Sequence, residues 1–475
     1  MNKIPSLLGV CLCFCLRAVA TGADVDEGIG YPFVGKIKPR HAREIAASNW
    51  SVGAETLDRD YTVYDNWKSY LGPLGVKKAR IQGGWAKTEQ QKGVFDYAWL
   101  DKVIFDMAQQ GVEPWMCLCY GNPIYEGGGD PQIKGRMPSS EEGLAAWANW
   151  VRKTVERYKG QIHEWEVWNE PNYCLAPADY AKLLVLTSET VKSVQPNATV
   201  IGFALGSAVD YKYARSVLEL LRAQGKIGVI DQISHHRHQP NPDVRGNEIE
   251  LEKLVSEYSD AISIRQGEAG CPSEPGKKRA MAGHPWTELI QAKHVLRRLL
   301  GDLGRDKESS CFAIVDMKYP DEMNRKGLLR ARPDRTVEYP KPAYYAVQNL
   351  TAVFDRRVVR LTGFRPQAGT DLPLSAYAYR HEPSGGSIAT IWLSGDVPVN
   401  DTRKTAIDLT FRGAAFSDPL YVDLRTGRAY AIPRDRWSAQ DGVTTFHQVP
   451  VYDSPVLIAD RATLPLDPAA PAPQS

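Results

Sequence analysis

Between residues 49 and 354, short strand-like runs alternate with longer segments that have helical periodicity. This alternation is typical of βαβ units, in which successive strands lie parallel in one sheet. Eight such units within about 300 residues match the size of one (β/α)8 barrel with elaborated loops. The predicted strands lie at residues 50–53, 78–82, 112–118, 164–169, 199–203, 232–236, 263–268 and 311–315.

The segments between these strands carry helix signals. Leu100, Val103 and Met107 recur at helical spacing, and Gly111 follows them as a stop. Residues 139–142 read Ser-Ser-Glu-Glu, which is a helix-capping pattern. The predicted helices lie at residues 100–110, 139–158, 177–194, 211–221, 248–258, 287–300 and 342–353.

The fourth predicted strand ends in the run Trp-Asn-Glu-Pro at residues 168–171. Pro171 cannot donate a ladder hydrogen bond, so the strand must end near Glu170. Because barrel enzymes carry their chemistry at the carboxyl ends of the strands, we expect Glu170 at the functional face. Asn169 would point away from Glu170 in a regular strand, so a bulge is needed to turn both inward.

This run resembles the acid/base motif of glycoside hydrolase clan A, the retaining glycosidases built on a (β/α)8 barrel. The resemblance implies that Glu170 is the general acid/base and that Asn169 binds the sugar 2-hydroxyl. The seventh strand ends in Gly-Glu-Ala-Gly at residues 267–270, which is similar to the nucleophile motif of the same clan and implies that role for Glu268. Each motif alone could be an ordinary strand end or loop. The ordered pair on the fourth and seventh strands is more specific, and families 39 and 5 are nearest.

Other strand ends extend the resemblance. Arg80, on the second strand, matches the position from which clan members send an arginine towards the nucleophile; the alternative is a structural ion pair. Arg80 or Lys78 would also have to balance Glu166 if that residue is buried. On the sixth strand His236 matches a clan histidine, whereas His238 stands where tyrosine is usual. The eighth strand lacks the tryptophan that often forms the floor of the sugar site.

Two carboxyl groups roughly 5–5.5 Å apart are what hydrolysis with retention requires. The resemblance therefore implies a retaining glycosidase acting on a poly- or oligosaccharide, with no metal or organic cofactor. Two alternatives stay open: a transglycosylase that uses the same site, and a carbohydrate-binding pseudoenzyme. Trp85, Tyr120, Tyr173 and Trp286 could stack on sugar rings or belong to the core, and Glu55 could bind a hydroxyl or cap a helix.

Positive charge near the expected cleft raises a question about the substrate. His235 to His238 form a His-His-Arg-His run, and Lys277, Lys278, Arg279 and Lys318 lie on nearby loops. A cationic rim would favour a glycan that bears carboxylate or sulfate groups. The favoured interpretation is a histidine cluster that orients Glu268 beside a solvated basic loop.

The amino-terminal residues predict export. Lys3, an apolar stretch at 7–16 and Ala-Val-Ala at 18–20 together indicate a signal peptide over residues 1–22, and hence a secreted or periplasmic protein. No other run is long and apolar enough to predict a membrane helix. The five remaining cysteines do not form a disulfide framework or a zinc pattern. One bridge between Cys174 and Cys271 is conceivable, although single buried thiols fit better.

The length of 475 residues predicts two domains. After an amino-terminal segment at 23–45 and the barrel at 46–355, residues 356–462 show short alternating runs separated by turn signals, which predict a small antiparallel β-sandwich. Residues 463–475 are rich in Pro and Ala and predict a disordered tail. Lys and Arg exceed Asp and Glu by 58 − 56 = 2, so nothing indicates a nucleic-acid partner. The sugar, the linkage and the oligomeric state are not determined.

Overall fold

The computed structural model describes residues 28–206, 209–278 and 280–468. The predicted signal peptide at 1–22 lies outside these residues, as does the part of the predicted tail beyond residue 468. Among the described residues, no helix combines the length and the apolar character that crossing a bilayer requires.

Eight parallel strands close into a barrel, as the strand–helix alternation predicts. The order around the barrel follows the chain. The barrel strands are β2 (Trp50–Gly53), β3 (Lys78–Gln82), β4 (Glu113–Leu118), β5 (Glu164–Val167), β6 (Thr199–Leu205), β7 (Gln232–His236), β8 (Ser263–Ala269) and β9 (Ser309–Cys311).

Helices connect the strands and cover the barrel. Each long one agrees with a predicted helix to within three residues at either end. The helices are α1 (Tyr64–Trp67), α2 (Trp85–Thr88), α3 (Ala98–Gln109), α4 (Glu141–Tyr158), α5 (Pro177–Val194), α6 (Tyr211–Ala223), α7 (Asn247–Ser256), α8 (Glu288–Leu303) and α9 (Pro342–Val353).

The eighth strand is the one barrel strand whose position differs materially from the prediction. The apolar run at residues 312–315 was expected to form most of it, yet the strand lies at Ser309–Cys311 and the chain leaves the ladder at Phe312. These four residues are all buried. Their apolar character therefore reflects burial behind the barrel mouth, and not strand pairing.

Two antiparallel sheets, formed mainly by residues that follow the barrel, confirm the predicted sandwich. The larger sheet has the order β14-β16-β17-β23-β19-β20-β1-β24, and the smaller has the order β15-β18-β22-β21. The larger sheet contains β1 (Phe33–Ile37), β14 (Val358–Arg360), β16 (Leu374–His381), β17 (Ser387–Leu393), β19 (Pro419–Asp423), β20 (Arg428–Ala431), β23 (Val456–Asp460) and β24 (Leu466–Pro468). The smaller contains β15 (Arg365–Ala368), β18 (Thr405–Arg412), β21 (Trp437–Gln440) and β22 (Val443–Val451).

Two of these strands lie in segments for which the sequence predicts no regular structure. β1 belongs to the amino-terminal segment and β24 to the predicted tail, and they pair with each other in the larger sheet. Two further short hairpins separate β9 from α9. They consist of β10 (Met317–Lys318) with β11 (Met323–Asn324), and β12 (Leu329–Ala331) with β13 (Val337–Pro340).

Charged side chains fill the floor of the barrel at the amino ends of its strands. Lys78 Nζ contacts Glu308 Oε1 at 3.0 Å and also bonds Glu164. Arg265 Nη1 bonds Glu164 Oε2 at 2.7 Å and its Nη2 bonds Glu308. Above them the ring of Trp115 lies 5.0 Å from the Arg265 guanidinium. This floor differs from the branched apolar layers that usually fill such barrels.

Replacing Arg265 with Met should destabilise the protein, because Glu164 and Glu308 would share Lys78 alone. We expect the free energy of unfolding to fall by about 2 kcal/mol or more, as measured by urea denaturation. The control is Arg215→Met, which removes an exposed ion pair with Glu257 and should cost less than about 1 kcal/mol. Equal losses for the two variants would show that the floor charges add nothing specific.

Candidate functional site

The two predicted glutamates meet at the mouth of the barrel. Glu170 follows β5 and Glu268 lies near the end of β8. A carboxylate oxygen of each and a ring nitrogen of His236 all lie within 4.8 Å of one another. Glu268 is 7% exposed, and the side chain of Glu170 is 12% exposed. The two carboxyl groups are therefore close together and mostly buried, and each keeps a small exposed fraction.

An irregular backbone after β5 turns its side chains inward. Regular pairing ends at Val167, and Trp168 and Glu170 then take positive φ angles of 65° and 51°. Such a conformation is uncommon for residues other than glycine and is concentrated at functional sites. It breaks the two-residue alternation, so that Asn169 reaches the barrel axis although it neighbours Glu170. This is the irregularity that the sequence requires at this strand end.

A bulge in β8 does the same for Glu268. His235 pairs with Gln266, whereas His236 pairs with Glu268, so Gly267 is the extra residue. A Cβ atom at position 267 would lie 3.2 Å from Cδ2 of His236, which leaves little room for any side chain. The bulge shifts the alternation, so that Arg265 and Glu268 both point into the barrel although three positions separate them.

Arg80 is the hub of the site and has no exposed surface. Its Nε donates to Glu166 Oε2 at 2.9 Å, and its Nη2 donates to the same carboxylate and to Asn169 Oδ1 at 2.9 Å. Its Nη1 donates to Glu268 and to Glu55 Oε1, the latter at 3.2 Å. Arg80 therefore reaches Glu268 as predicted, and it, not Lys78, balances Glu166.

The surroundings of Glu268 favour its charged form. Burial alone would raise the pKa of this carboxyl, but the positive charges of His236 and Arg80 outweigh burial and hold the pKa well below its ordinary value. His238 Nε2 lies 3.6 Å from the second oxygen of Glu268. Glu268 is thus an ionised carboxylate with cationic or polar neighbours at both oxygens.

His236 lies between the two glutamates. Its Nδ1 is 3.2 Å from Glu170 Oε1 and 3.5 Å from Glu268 Oε1. Burial would lower the pKa of His236, but the charge of Glu268 and the hydrogen bond with Glu170 raise it above its ordinary value. Burial instead lowers the pKa of His238, whose Nδ1 lies 3.0 Å from the carbonyl oxygen of Gly270. Within the run at residues 235–238, His236 and His238 therefore lie beside Glu268.

The aromatic candidates divide between core and site. Trp85 is a correction: it has no exposed surface and stacks on Trp150 inside the barrel wall, so it cannot contact a ligand. Trp286 is 1% exposed and packs in a separate apolar cluster. Tyr120 is also buried, and its hydroxyl accepts a hydrogen bond from Gln82 at 3.3 Å. Tyr173 is the one of the four predicted rings with an exposed face, at 41%.

Phe312 is a site residue that sequence reasoning missed. It follows the last residue of β9 and packs edge-on against His238, with ring centroids 5.6 Å apart. Lys326 Nζ lies 5.9 Å from the centre of the Phe312 ring. The predicted strand ends at residue 315, four residues beyond the observed end at Cys311, and so includes Phe312. The observed end places this aromatic residue at the barrel mouth.

Cysteine pairing and metal binding can be stated for the described residues. The five cysteines of the described residues are all free thiols. Cys174 is exposed and Cys271 is buried, and no disulfide joins them. Glu170, His236 and Glu268 form one group whose atoms could hold a cation. Two carboxylates and an imidazole are also the constituents of an acid/base site, which needs no ion.

No family model matches the sequence, and no curated protein matches it. The structural neighbours are glycoside hydrolases. A family 39 glycoside hydrolase from the gut symbiont Bacteroides cellulosilyticus has a TM-score of 0.64 at 20% identity, over 90% of this chain and 83% of that one. A monomeric β-xylosidase from Caulobacter crescentus has a TM-score of 0.59 at 14% identity, over 90% and 97%.

A family 30 xylanase from Clostridium acetobutylicum is a more distant neighbour, with a TM-score of 0.52 at 13% identity over 90% and 97% of the two chains. At such identities the likeness establishes a shared fold. The chain therefore has the barrel-and-sandwich architecture of family 39 and family 30 glycoside hydrolases.

Replacing Arg80 with Met should destabilise the protein strongly at neutral pH, because Glu166 and Glu268 would remain buried without this cationic partner. We expect a loss of about 3–5 kcal/mol in the free energy of unfolding at pH 7. The penalty should shrink as the pH falls, since protonation neutralises carboxylates whose pKa values rise once the cation is gone. Denaturant titrations of variant and wild type at pH 4.5 and pH 7 measure both effects. A penalty that is equal at the two pH values would contradict this role for Arg80.

Proposed function

We propose that this chain is a retaining glycoside hydrolase in which Glu170 is the acid/base and Glu268 the nucleophile. The observation that carries the proposal is that one carboxylate oxygen of Glu170 lies within 4.8 Å of one carboxylate oxygen of Glu268, with His236 between them. Inverting enzymes need about 6.5–9.5 Å to admit a water molecule between the two groups, whereas retaining enzymes need about 5–5.5 Å. The fold shared with family 39 enzymes supports the same assignment.

The first chemical step forms a covalent glycosyl-enzyme. Glu170 donates its proton to the glycosidic oxygen while a Glu268 oxygen attacks the anomeric carbon, so the bond to the leaving group breaks as the ester bond forms. The low pKa of Glu268 keeps this nucleophile ionised. Arg80 and His236 hold the attacking oxygen in place through the contacts described above.

The second step returns both glutamates to their starting forms. Glu170, now a carboxylate, takes a proton from water, and the resulting hydroxide equivalent attacks the anomeric carbon and releases Glu268. Asn169 Oδ1 is held by Arg80 Nη2, which leaves the Asn169 amide NH2 to donate to the sugar 2-hydroxyl. That contact strengthens as charge develops at the anomeric centre.

Two alternatives share this site. A transglycosylase would differ only in the acceptor, with a sugar hydroxyl in place of water, and a pseudoenzyme would bind without turnover. The complete pair of glutamates, with one held ionised, supports catalysis over mere binding. The predicted signal peptide supports a secreted or periplasmic location and hence a polymeric or oligomeric glycan outside the cytoplasm.

Glutamine variants of the two glutamates should separate their roles. Glu268→Gln removes the nucleophile and should lower kcat about 10⁴-fold or more on every substrate. Glu170→Gln should lower kcat about 10²–10⁴-fold on natural glycans but spare the first step with an aryl glycoside whose leaving group needs no proton. Proton NMR of the first product should show the substrate's anomeric configuration.

The control is Glu113→Gln, an exposed glutamate at the amino end of β4 that lies far from the chemistry. It should keep wild-type kcat on both substrates. Unchanged turnover in Glu170→Gln, or an inverted first product, would defeat the assignment.

A second feature supports an acidic substrate. A cavity of about 340 Å³ lies beside the loop that follows β8 and is lined by Lys277, Lys278, Arg325 and Lys326, together with Glu274 and Glu322. Lys326 is 5% exposed and its charge acts on His238, which faces Glu268. We propose that this cavity takes a carboxylate or sulfate group of the bound glycan.

Paired substrates test this proposal. An aryl glucuronide and the matching aryl glucoside differ only in charge, and a sulfated glycoside extends the comparison. We expect wild type to have a higher kcat/KM for the charged substrate than for the neutral one. Lys326→Gln should lower this charged-to-neutral preference about tenfold. Lys153→Gln, which changes an exposed lysine on α4, is the control. If wild type prefers the neutral substrate, or if Lys326→Gln leaves the preference for the charged substrate unchanged, the glycan does not bind through an acidic group. Either result would leave the glycosidase assignment intact.

A further inference from the structure

Glu55 occupies a position that the chemistry above does not use. It follows β2, and its Oε1 accepts a hydrogen bond at 3.2 Å from Arg80 Nη1, the same nitrogen that bonds Glu268. Glu55 is 3% exposed. Among the described residues, its Oε2 is buried without a hydrogen-bond partner. A carboxyl group is thus enclosed one hydrogen bond away from the proposed nucleophile.

Three carboxyl groups surround the single guanidinium of Arg80, so their charges compete. Glu166 accepts from two nitrogens of Arg80 and from the Ser234 hydroxyl, which engages both of its oxygens as acceptors. Glu268 has His236 and Arg80 as cationic neighbours. Glu55 has a share of one nitrogen only. Like charges this close cannot all be ionised, and Glu55 is the least supported of the three.

The electrostatics of Glu55 agree with the hydrogen bonds. Burial raises the pKa of Glu55 to about 8, with a further contribution from the charge of Glu268, and Arg80 only partly opposes them. The charged or titratable groups that face it are Arg80 on β3, Glu268 on β8 and Cys311 on β9, whose pKa burial raises to about 12. Glu55 is therefore favoured in its neutral form, while Glu166 and Glu268 keep their ion pairs with Arg80.

The backbone makes room for this buried group. A Cβ atom at Gly53 would lie 2.2 Å from Oε2 of Glu55, so a glycine there is what allows the carboxyl to fold back against its own strand. The absence of a side chain at Gly53 thus leaves the space that the Glu55 carboxyl occupies.

We propose that Glu55 acts as a neutral carboxylic acid that positions the nucleophile, an inference that rests on the proposed function. In this form the carbonyl oxygen of Glu55 accepts a hydrogen bond from Arg80 Nη1 and holds that nitrogen beside Glu268. Because neutral Glu55 carries no charge, it does not compete with Glu268 for the positive charge of Arg80. When Glu55 loses its proton to solvent at high pH, a second anion draws Nη1 away and repels Glu268. The glycosylation step should then slow.

The kinetic test isolates Glu55 from the titration of Glu170. Both variants carry Glu170→Gln and are assayed with an activated aryl glycoside, for which kcat/KM reports the glycosylation step alone. Above about pH 8, kcat/KM of Glu170→Gln should fall about tenfold per pH unit. The added Glu55→Gln substitution should remove this decline, because an amide accepts from Nη1 but cannot ionise.

The control pairs Glu170→Gln with Glu164→Gln, which removes a glutamate from the floor of the same barrel and should leave the alkaline decline in place. Superimposed profiles with and without Glu55→Gln would overturn the proposal, since a merely structural Glu55 changes stability and not the shape of the profile.

A second measurement does not need turnover. Carbon-13 NMR of protein labelled at the glutamate carboxyls should show one group in wild type with an apparent midpoint near pH 8, and Glu55→Gln should lack it. If every carboxyl titrates below about pH 6, Glu55 is ionised at neutral pH and the proposal fails. Absence of glycoside cleavage with this signal present would instead reject the proposed function and leave the state of Glu55 established.

Discussion

The guanidinium of Arg80 is the interaction on which the site depends. Its donors reach Glu55 after β2, Glu166 and Asn169 on and after β5, and Glu268 on β8, so one side chain fixes the relative positions of three other barrel strands. Burying this cation carries a large desolvation penalty, which is offset only because the carboxylates around it are buried as well. A lysine could not replace it, because a compact ammonium lacks the planar fork that addresses several acceptors in different directions. Arg80 thus fixes Glu268 directly, whereas Glu170 is reached through His236, which lies beside both glutamates.

The interior of the barrel extends this arrangement downward. Trp115 lies between two arginines, with Arg80 at 5.4 Å on the side of the mouth and Arg265 at 5.0 Å on the side of the floor. Ion pairs at both ends with an aromatic ring between them replace the branched aliphatic layers usual in this fold. Each buried ion pair adds little to the free energy of unfolding, but its hydrogen bonds hold the two side chains in a defined orientation. Groups held in fixed directions need not reorganise when charge develops at a reacting centre, which is the condition for electrostatic catalysis under the proposed function.

The sequence predicts the architecture well and the site in part. The barrel strands and helices are recoverable because their periodicity is strong, and Glu170 and Glu268 because each closes a strand with a recognisable motif. The sequence indicates that a backbone irregularity must turn Asn169 inward. It does not show which residues form that irregularity, because this depends on the φ angles of Trp168 and Glu170. Residue type does not reveal exposure, so the sequence cannot decide whether Trp85 belongs to the site or to the core. Phe312 is not recognisable because a buried apolar run imitates a strand. β1 was missed because its partners lie at the other end of the chain.

The pairing of β1 has a consequence for how this molecule is made. Phe33–Ile37 lies between β20 and β24, and both neighbours are encoded after the entire barrel. During synthesis the barrel can assemble while this early strand still waits for a partner, with its backbone hydrogen-bonding groups open to solvent or to another chain. The larger sheet is thus completed late, and a chain that ended after the barrel would leave both edges of β1 without their partner strands.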